Sequence, residues 1–528
     1  IIDCEIEDCK FENCEVTSIL NKYQQLEITG GVFQSEDDEF QSDTTFQTGM
    51  TSTLANPKFK GQVTGEECSL TIYNAESDDE VMLTDCNVMD KEGSYKKILT
   101  IDGAKSGVML FKTSIEDDVE ITDASVNAAQ VELQKKLTVT GGQFNAKDIT
   151  VQEETDISDC KLIMTGGQFQ KEVTISSCSA RLVGNTFSEG VTVDKGALDS
   201  SKNKFDKTFD FTGGTIESKR DEFSDDMTLK ELIAKNLIFE PKKFQKIDCS
   251  GDSKAILEIF GGEGQDFTAE SFGNLRLFNP TFEKVDITNV KLCNLVDITA
   301  SETKVEECGT VICDDGNLGD TASFKLCGTL IVNNTNASEA TIEDCGQYLG
   351  AESKFLSVTI KNLCLGVTKG CSEVMCDDSA LIDNGSTITA NSSQLICADS
   401  TVEEANNCII NSLNADVTCD SSTVSAAGGN VIGSGNCVVT SVGAEVINPE
   451  GLTMGGDFDA DMQGGSLLFD GINLTAQCTV GNVNITSTLG SIYGDALENI
   501  GMTAAVGIGL TAGVGIIADA VTDINLIS

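Results

Sequence analysis

Apolar residues recur along this chain at fixed long intervals. Phe169, Phe187, Phe205 and Phe223 stand eighteen residues apart. Four residues after each come Val173, Val191, Phe209 and Met227, and six after each come Ile175, Val193, Phe211 and Leu229. Seven before each come Leu162, Ala180, Leu198 and Ile216. Four positions thus stay apolar through four successive repeats. Within a repeat the apolar residues lie two apart, as in Val173-Thr174-Ile175, the alternation of a strand with one buried face. Gly, Asn and Asp fill the intervals and suit corners with left-handed backbone. The corner sequence Thr-Gly-Gly-x-Phe recurs at Thr29–Phe33, Thr140–Phe144 and Thr165–Phe169. Met227 to Asn236 could pass for a helix, but Met227 and Leu229 keep the register, so a strand is predicted.

These patterns predict an all-β fold: a single long parallel β-solenoid with coils of about 18–20 residues, each resting on its neighbours. A chain of 528 residues would then make roughly 26 to 29 coils.

Cysteine follows the same period. Cys68 and Cys86, Cys160 and Cys178, Cys327 and Cys345, and Cys419 and Cys437 are eighteen apart, while Cys308–Cys327 and Cys345–Cys364 are nineteen apart. One repeat is one strand spacing, about 4.8 Å, which lies within the Cα span of a disulfide. A disulfide or thiol ladder is therefore expected at Cys327, Cys345, Cys364, Cys419 and Cys437, with Cys327 and Cys345 the leading pair. The 21 cysteines, an odd number, suit an oxidising compartment and leave connectivity open.

Composition divides the chain. Twenty of 24 Phe fall at or before Phe282. This predicts a Phe-rich solenoid over 1–285 and a thinner Cys- and small-residue solenoid over 286–485, continuous with the first. An apolar C-terminal segment, 486–528, would serve assembly or capping. Residues 500–518 carry no charge, and Gly509 and Gly513 make a GxxxG step. Abundant glycine and the lack of flanking Lys or Arg favour packing on protein over a membrane span.

The formal charge is −49, which repels nucleic acid and anionic membranes. After Lys369 there is no Lys or Arg, so carboxylates there face water, metal ions or a basic patch elsewhere. No His or Trp occurs, which removes His-based triads and the commonest sugar-stacking side chain. The opening at Ile1 without a signal peptide is expected of a processed mature chain.

The Thr-Gly-Gly-Gln-Phe corners, Val-Thr-Ile strands and recurrent period resemble the parallel β-helix family. That family includes pectate-lyase-like enzymes, adhesins and surface proteins. The resemblance is architectural and covers residues 1 to about 485. It implies a solenoid; its enzymes use clustered Asp with Arg or calcium.

Candidate chemistry is sparse. Acidic runs at Glu36-Asp37-Asp38-Glu39, Ser77-Asp78-Asp79-Glu80 and Glu116-Asp117-Asp118 read as solvated turns. Asp457, Asp459 and Asp461 alternate as in the opening of a calcium loop, although Met462 and Leu468 depart from that pattern. Gly261 to Asp266 resembles one copy of a calcium nonapeptide, and an ordinary turn is the simpler reading. Sequons occur at Asn333, Asn336, Asn384, Asn391, Asn473 and Asn484, acceptors for glycans if the chain is secreted.

The expected function is structural and non-catalytic: a self-assembling subunit of an extracellular or cell-surface filament or layer. Its partner would be itself, head to tail. Ile2, Cys4 and Ile6 begin the strand alternation at once, without a cap, and the apolar tail would complete the joint. No cofactor is required; calcium is the one candidate. The alternatives are a monomeric adhesin or stalk and a β-helix polysaccharide lyase or hydrolase.

Overall fold

The structure, a computed structural model, describes residues 1–232 and 237–351, then the strands and most connections to 447, and strands alone from 453 to 527. Side-chain surroundings are described as far as Val424. The chain is all-β, with no helix among the described residues, and forms a long parallel β-solenoid of about 21 turns. The whole-chain expectation of more coils falls partly on residues outside the described ones. There are two compact units, Ile1–Lys284 and Val285–Ser528.

In the first unit each coil has three sides as far as Phe223, separate strands in most coils and run together in Cys9–Ile19, Leu26–Glu36, Thr44–Ala55, Val191–Ser201 and Phe209–Phe223. Val63–Glu66, Ser69–Tyr73 and Glu76–Ser77 lie under Val81–Thr84, Asn87–Lys91 and Ser94–Tyr95, eighteen residues on. The shortest strand of each coil contributes one inward residue to a single column. It runs Tyr23, Phe40, Phe59, Ser77, Tyr95, Ile115, Leu133 and Val151. Phe169, Phe187, Phe205 and Phe223 complete it. Their ring centroids lie 5.1, 5.0 and 4.8 Å apart with planes within 14° of parallel. The expected Phe ladder is therefore the upper end of a twelve-residue core column.

Corners need left-handed backbone. At Gly142, φ is +68° and a Cβ would stand 2.1 Å from the Ala124 carbonyl oxygen, so only glycine lets the coils approach there.

The coil loses its third strand at Met227, inside the first unit. Asp221 stands opposite Pro241, and the register shifts on both sides of that pair. Proline has no N–H to give the ladder, which breaks there. Met227–Leu232 is a strand, paired with Lys246–Gly251.

In the second unit, coils have two strands. Leu292 lies opposite Thr310 and Thr310 opposite Thr329, steps of eighteen and nineteen. Later the coil shortens: Glu373 faces Thr387, Gln394 faces Ile409, and Ile409 faces Thr423, steps of fourteen or fifteen. The expected 18–20 residues therefore hold only for the earlier coils. The physical reason is core volume. Val374, Cys376, Ile388, Ala390, Val402 and Ala405 fill these coils, and small side chains pack to native density only inside a shorter circuit.

Asn473–Cys478, Ser491–Ala496, Gly507–Ala512 and Asp523–Ile527 form one parallel ladder, and Asn482–Ser487, Asn499–Ala504 and Gly515–Ala520 another. The apolar stretch 500–518 thus includes strands that repeat every sixteen residues, as Gly507 opposite Asp523 shows. No helix among the described residues is long and apolar enough to cross a membrane.

Replacing Phe187 with Ala should cost about 3–5 kcal/mol, the usual loss for a buried Phe. Coupling between coils is nearest-neighbour, so hydrogen exchange should quicken in the coils around Phe169 and Phe205 and hold elsewhere. Uniform quickening through the first unit would contradict the column.

Candidate functional site

Several polar groups enter this core where a coil corner would strand a backbone N–H. Asn185, Asn203 and Asp221 are buried one coil apart. Asn185 Oδ1 accepts from the Gly167 N–H at 2.8 Å, Asn203 Oδ1 from the Asn185 N–H at 2.8 Å, and Asp221 Oδ1 from the Asn203 N–H at 2.7 Å. Asp38 repeats the arrangement, accepting from the Asn21 N–H and from Ser35 Oγ. Within that acidic run Asp38 is therefore a buried cap, while Glu36 and Asp37 are exposed as a solvated turn requires. The run at Ser77 is different again: Asp78 bridges Lys60 and Lys96 from adjacent coils, at 2.5 and 2.7 Å. Hydrogen bonds from Lys60 and then Lys96 lower the pKa of Asp78.

Outside, the surface becomes concave where the third strand ends. A groove of about 690 Å³ is lined by Lys202, Asn203, Lys204, Arg220, Glu222, Glu240, Pro241 and Phe260. Lys202 and Arg220 occupy equivalent corners with φ of +56° and +60°, and both are exposed. Lys204 stands over Glu222 and its Nζ pairs with Asp206 at 2.6 Å. Phe260 is 38% exposed and stacks on Phe278 at 4.9 Å. With Lys204 held by Asp206, Lys202 and Arg220 set two exposed cations beside the Phe260 ring, and Glu222 and Glu240 share the lining. Such a surface suits an anion with a flat apolar face, held by the cations and laid on the ring. The sequence reading missed it. The signal was present in Lys202 and Arg220, a repeat apart, beside Pro241.

The predicted thiols divide. None of the sixteen cysteines whose side chains are described is in a disulfide. Cys308, Cys327 and Cys345 are buried on neighbouring coils, the Gly328 N–H donating to the Cys308 carbonyl oxygen at 2.8 Å and the Gly346 N–H to that of Cys327 at 2.9 Å. Contact with Cys308, opposed by Cys345 and aided by burial, raises the Cys327 thiol to about 11. Cys364 and Cys437 lie outside the described residues. Cys419 stands opposite Ala405 and Gly433, so its eighteen-residue step to Cys437 is not the coil step there.

Asp457, Asp459 and Asp461 also lie outside the described residues. Among the described residues, no group of three or more His, Cys, Asp or Glu is placed to hold a metal. Gly261 to Asp266 is a turn in which a Cβ at Gly264 would meet the Phe244 ring at 1.7 Å; its glycine serves packing. Of the sequon residues, Asn336 and Asn391 are exposed and Asn333 is half-buried. Asn384, Asn473 and Asn484 lie in strands, their side chains outside the described residues.

No family model, curated protein or solved structure matches this chain.

One core group breaks the capping rule. Asp90 takes an inward position that Ile72 and Leu110 hold in the adjacent coils. Its Oδ2 accepts from Thr113 Oγ1 at 2.7 Å, while Oδ1 finds no partner. It lines a cavity of about 10 Å³ with Phe59, Leu83 and Tyr95, where the small residues Gly65 and Ser77 interrupt the core columns. Burial raises its pKa to about 6, against hydrogen bonds from Thr113 and Tyr95.

An unfolded Asp titrates near 3.9, so the folded state binds this proton more tightly. The resulting stability is fully present below about pH 4 and is lost as pH rises through 6, a change of about 3 kcal/mol. Asp90→Asn should flatten that dependence, read as the unfolding midpoint in denaturant between pH 4 and 7. A variant whose midpoint falls in parallel with the parent would remove Asp90 as the source.

Proposed function

We propose that this chain is a structural subunit of an extracellular filament or surface layer, built by continuing its coil stack into neighbouring copies. The observation that carries the reading is the evenness of the exterior. Asn56 and Asn74 ladder along a corner and Asn127 and Asn145 along a strand face, and ion pairs cross from coil to coil at Lys60–Asp78, Arg276–Glu258 and Lys325–Glu343. Surface chemistry repeated at every step suits extension. The individual exposed pairs add little stability, about 0–1 kcal/mol each, but they mark one register.

A parallel coil offers its edge as a template for strand addition. The edge at Glu5–Ile6 and Cys9–Ile19 pairs on one side with Lys22–Tyr23 and Leu26–Glu36. There Ile2 is 64% exposed and Phe11 half-buried, a surface that a further coil would cover. Acidic sides would keep fibres apart unless calcium bridges them. Sequon-bearing strands would carry glycans outward, and no catalytic role is assigned.

The groove favours a second reading, an adhesin of the parallel β-helix type that holds an anionic glycan at Lys202, Arg220 and Phe260.

Negative-stain microscopy of the purified chain should show fibres whose length grows with concentration, and Phe11→Lys should shorten them. A strict monomer at high concentration would overturn the assembly reading. In that case Lys202→Glu with Arg220→Glu should abolish retention on an acidic polysaccharide matrix if the second reading holds.

A further inference from the structure

One core position of the first unit holds small residues from Cys68 to Gly214, between Met50 one coil below and Leu232 one coil above. Reading upward one coil at a time, it holds Cys68, Cys86, Ser106, Ala124, Gly142, Cys160, Cys178 and Gly196, joined by successive backbone hydrogen bonds. Ser, Ala and Gly satisfy the packing of this position as well as Cys does. Size therefore does not explain the sulfur. Between Met50 and Leu232 the cysteines come as two adjacent couples, separated by Ser106, Ala124 and Gly142.

Within each couple the sulfurs touch: Cys68 Sγ and Cys86 Sγ are 3.2 Å apart, and Cys160 Sγ and Cys178 Sγ are 3.6 Å apart. Their Cα atoms sit one coil apart, about 4.8 Å, inside the range a disulfide spans. A rotation about χ1 closes the remaining gap without moving the backbone. A thiophilic metal fits less well, because no third ligand joins either couple among the described residues.

We propose that Cys68–Cys86 and Cys160–Cys178 are redox staples, thiol couples that a hydroperoxide oxidises to disulfides joining successive coils. The hydrogen-bond directions assign the roles. Cys86 Sγ points at the Thr84 carbonyl oxygen at 3.2 Å, and Cys178 Sγ at that of Ser176 at 3.1 Å. With those protons so engaged, the lower-numbered thiol of each couple can donate to the higher-numbered sulfur. That contact draws Cys86 and Cys178 down to about 7 and pushes Cys68 and Cys160 up. Cys86 and Cys178 are the nucleophiles; Cys68 and Cys160 resolve.

The thiolate of Cys86 attacks one oxygen of hydrogen peroxide. An S–O bond forms, the O–O bond breaks, and hydroxide leaves to take up the proton the thiol gave, as water. Cys68 then attacks that sulfur: the S–S bond forms, the S–O bond breaks, and hydroxide leaves with the Cys68 proton as a second water. Two thiols and one peroxide become one disulfide and two waters. A peroxide is small enough to reach couples that are 0–6% exposed during brief opening of a coil. A dithiol reductant reverses the step. The proposal is independent of the assembly reading, since each couple lies within one chain.

The test uses the full chain, purified reduced, exposed to graded hydrogen peroxide, denatured without reductant, alkylated and mapped by mass spectrometry. Expected are cross-linked peptides joining Cys68 to Cys86 and Cys160 to Cys178, while Cys249 and Cys293, buried apart from such couples, stay alkylatable. Cys68→Ser should abolish the first cross-link and leave Cys86 trappable as a sulfenic acid by dimedone. Serine is tolerated at this position, as Ser106 shows. If both couples remain alkylated at peroxide doses that oxidise the exposed Cys4, the proposal fails. It also fails if Cys86 or Cys178 pairs with any other cysteine.

Discussion

Parallel, in-register hydrogen bonding between successive coils is the constraint on which everything else in this molecule depends. It holds each residue over its counterpart at one strand spacing, about 4.8 Å. Like therefore meets like along every column. For aromatic rings this is favourable, and Phe169 to Phe223 stack with planes 4–14° from parallel. For amides it is also favourable: Asn74 donates to Asn56, and Asn56 to Asp37, each at 2.9 Å. For thiols it produces contact, and for carboxylates it would produce repulsion.

The repulsion is handled by spacing. One outward column reads Glu120, Thr138, Asp156 and Thr174, and later Asp210, Thr228, Asp248 and Thr268. An uncharged Thr stands between carboxylates. Two coils separate the charges by about 10 Å, near the Debye length at physiological salt. Threonine also suits the pleated surface. Elsewhere a cation intervenes, as Lys60, Asp78 and Lys96 show. A chain of charge −49 can stack in this way because its like charges seldom fall on adjacent coils.

Corners carry the remaining strain. Equivalent left-handed positions hold Asn56, Asn74, Asp148, Lys202 and Arg220 among others. Asn and Asp tolerate that backbone by bonding locally, whereas Lys and Arg gain nothing comparable from it. Lys202 and Arg220 are the two that line the groove.

The sequence alone determined the architecture, because a core column imposes its period on the chain that builds it. The eighteen-residue spacing of Phe, the two-residue alternation and the paired glycines at corners are local rules, readable without contacts. Asp90 was readable by the same logic, standing in register with Ile72 and Leu110. What the period could not carry was any change in the coil itself. The loss of the third strand at Met227 arises where Pro241 meets Asp221, a pairing between residues twenty apart. The shortening to fourteen or fifteen residues after Glu373 follows from how little volume Val, Cys and Ala must fill. The groove exists only because that break leaves Lys202, Arg220 and Phe260 around one hollow. Likewise the repeat aligned cysteines, but only the packed core set Cys68 against Cys86 at sulfur contact. Spacing fixes which residues are neighbours, while the distance and direction of their side chains depend on how the coils close around a shared core.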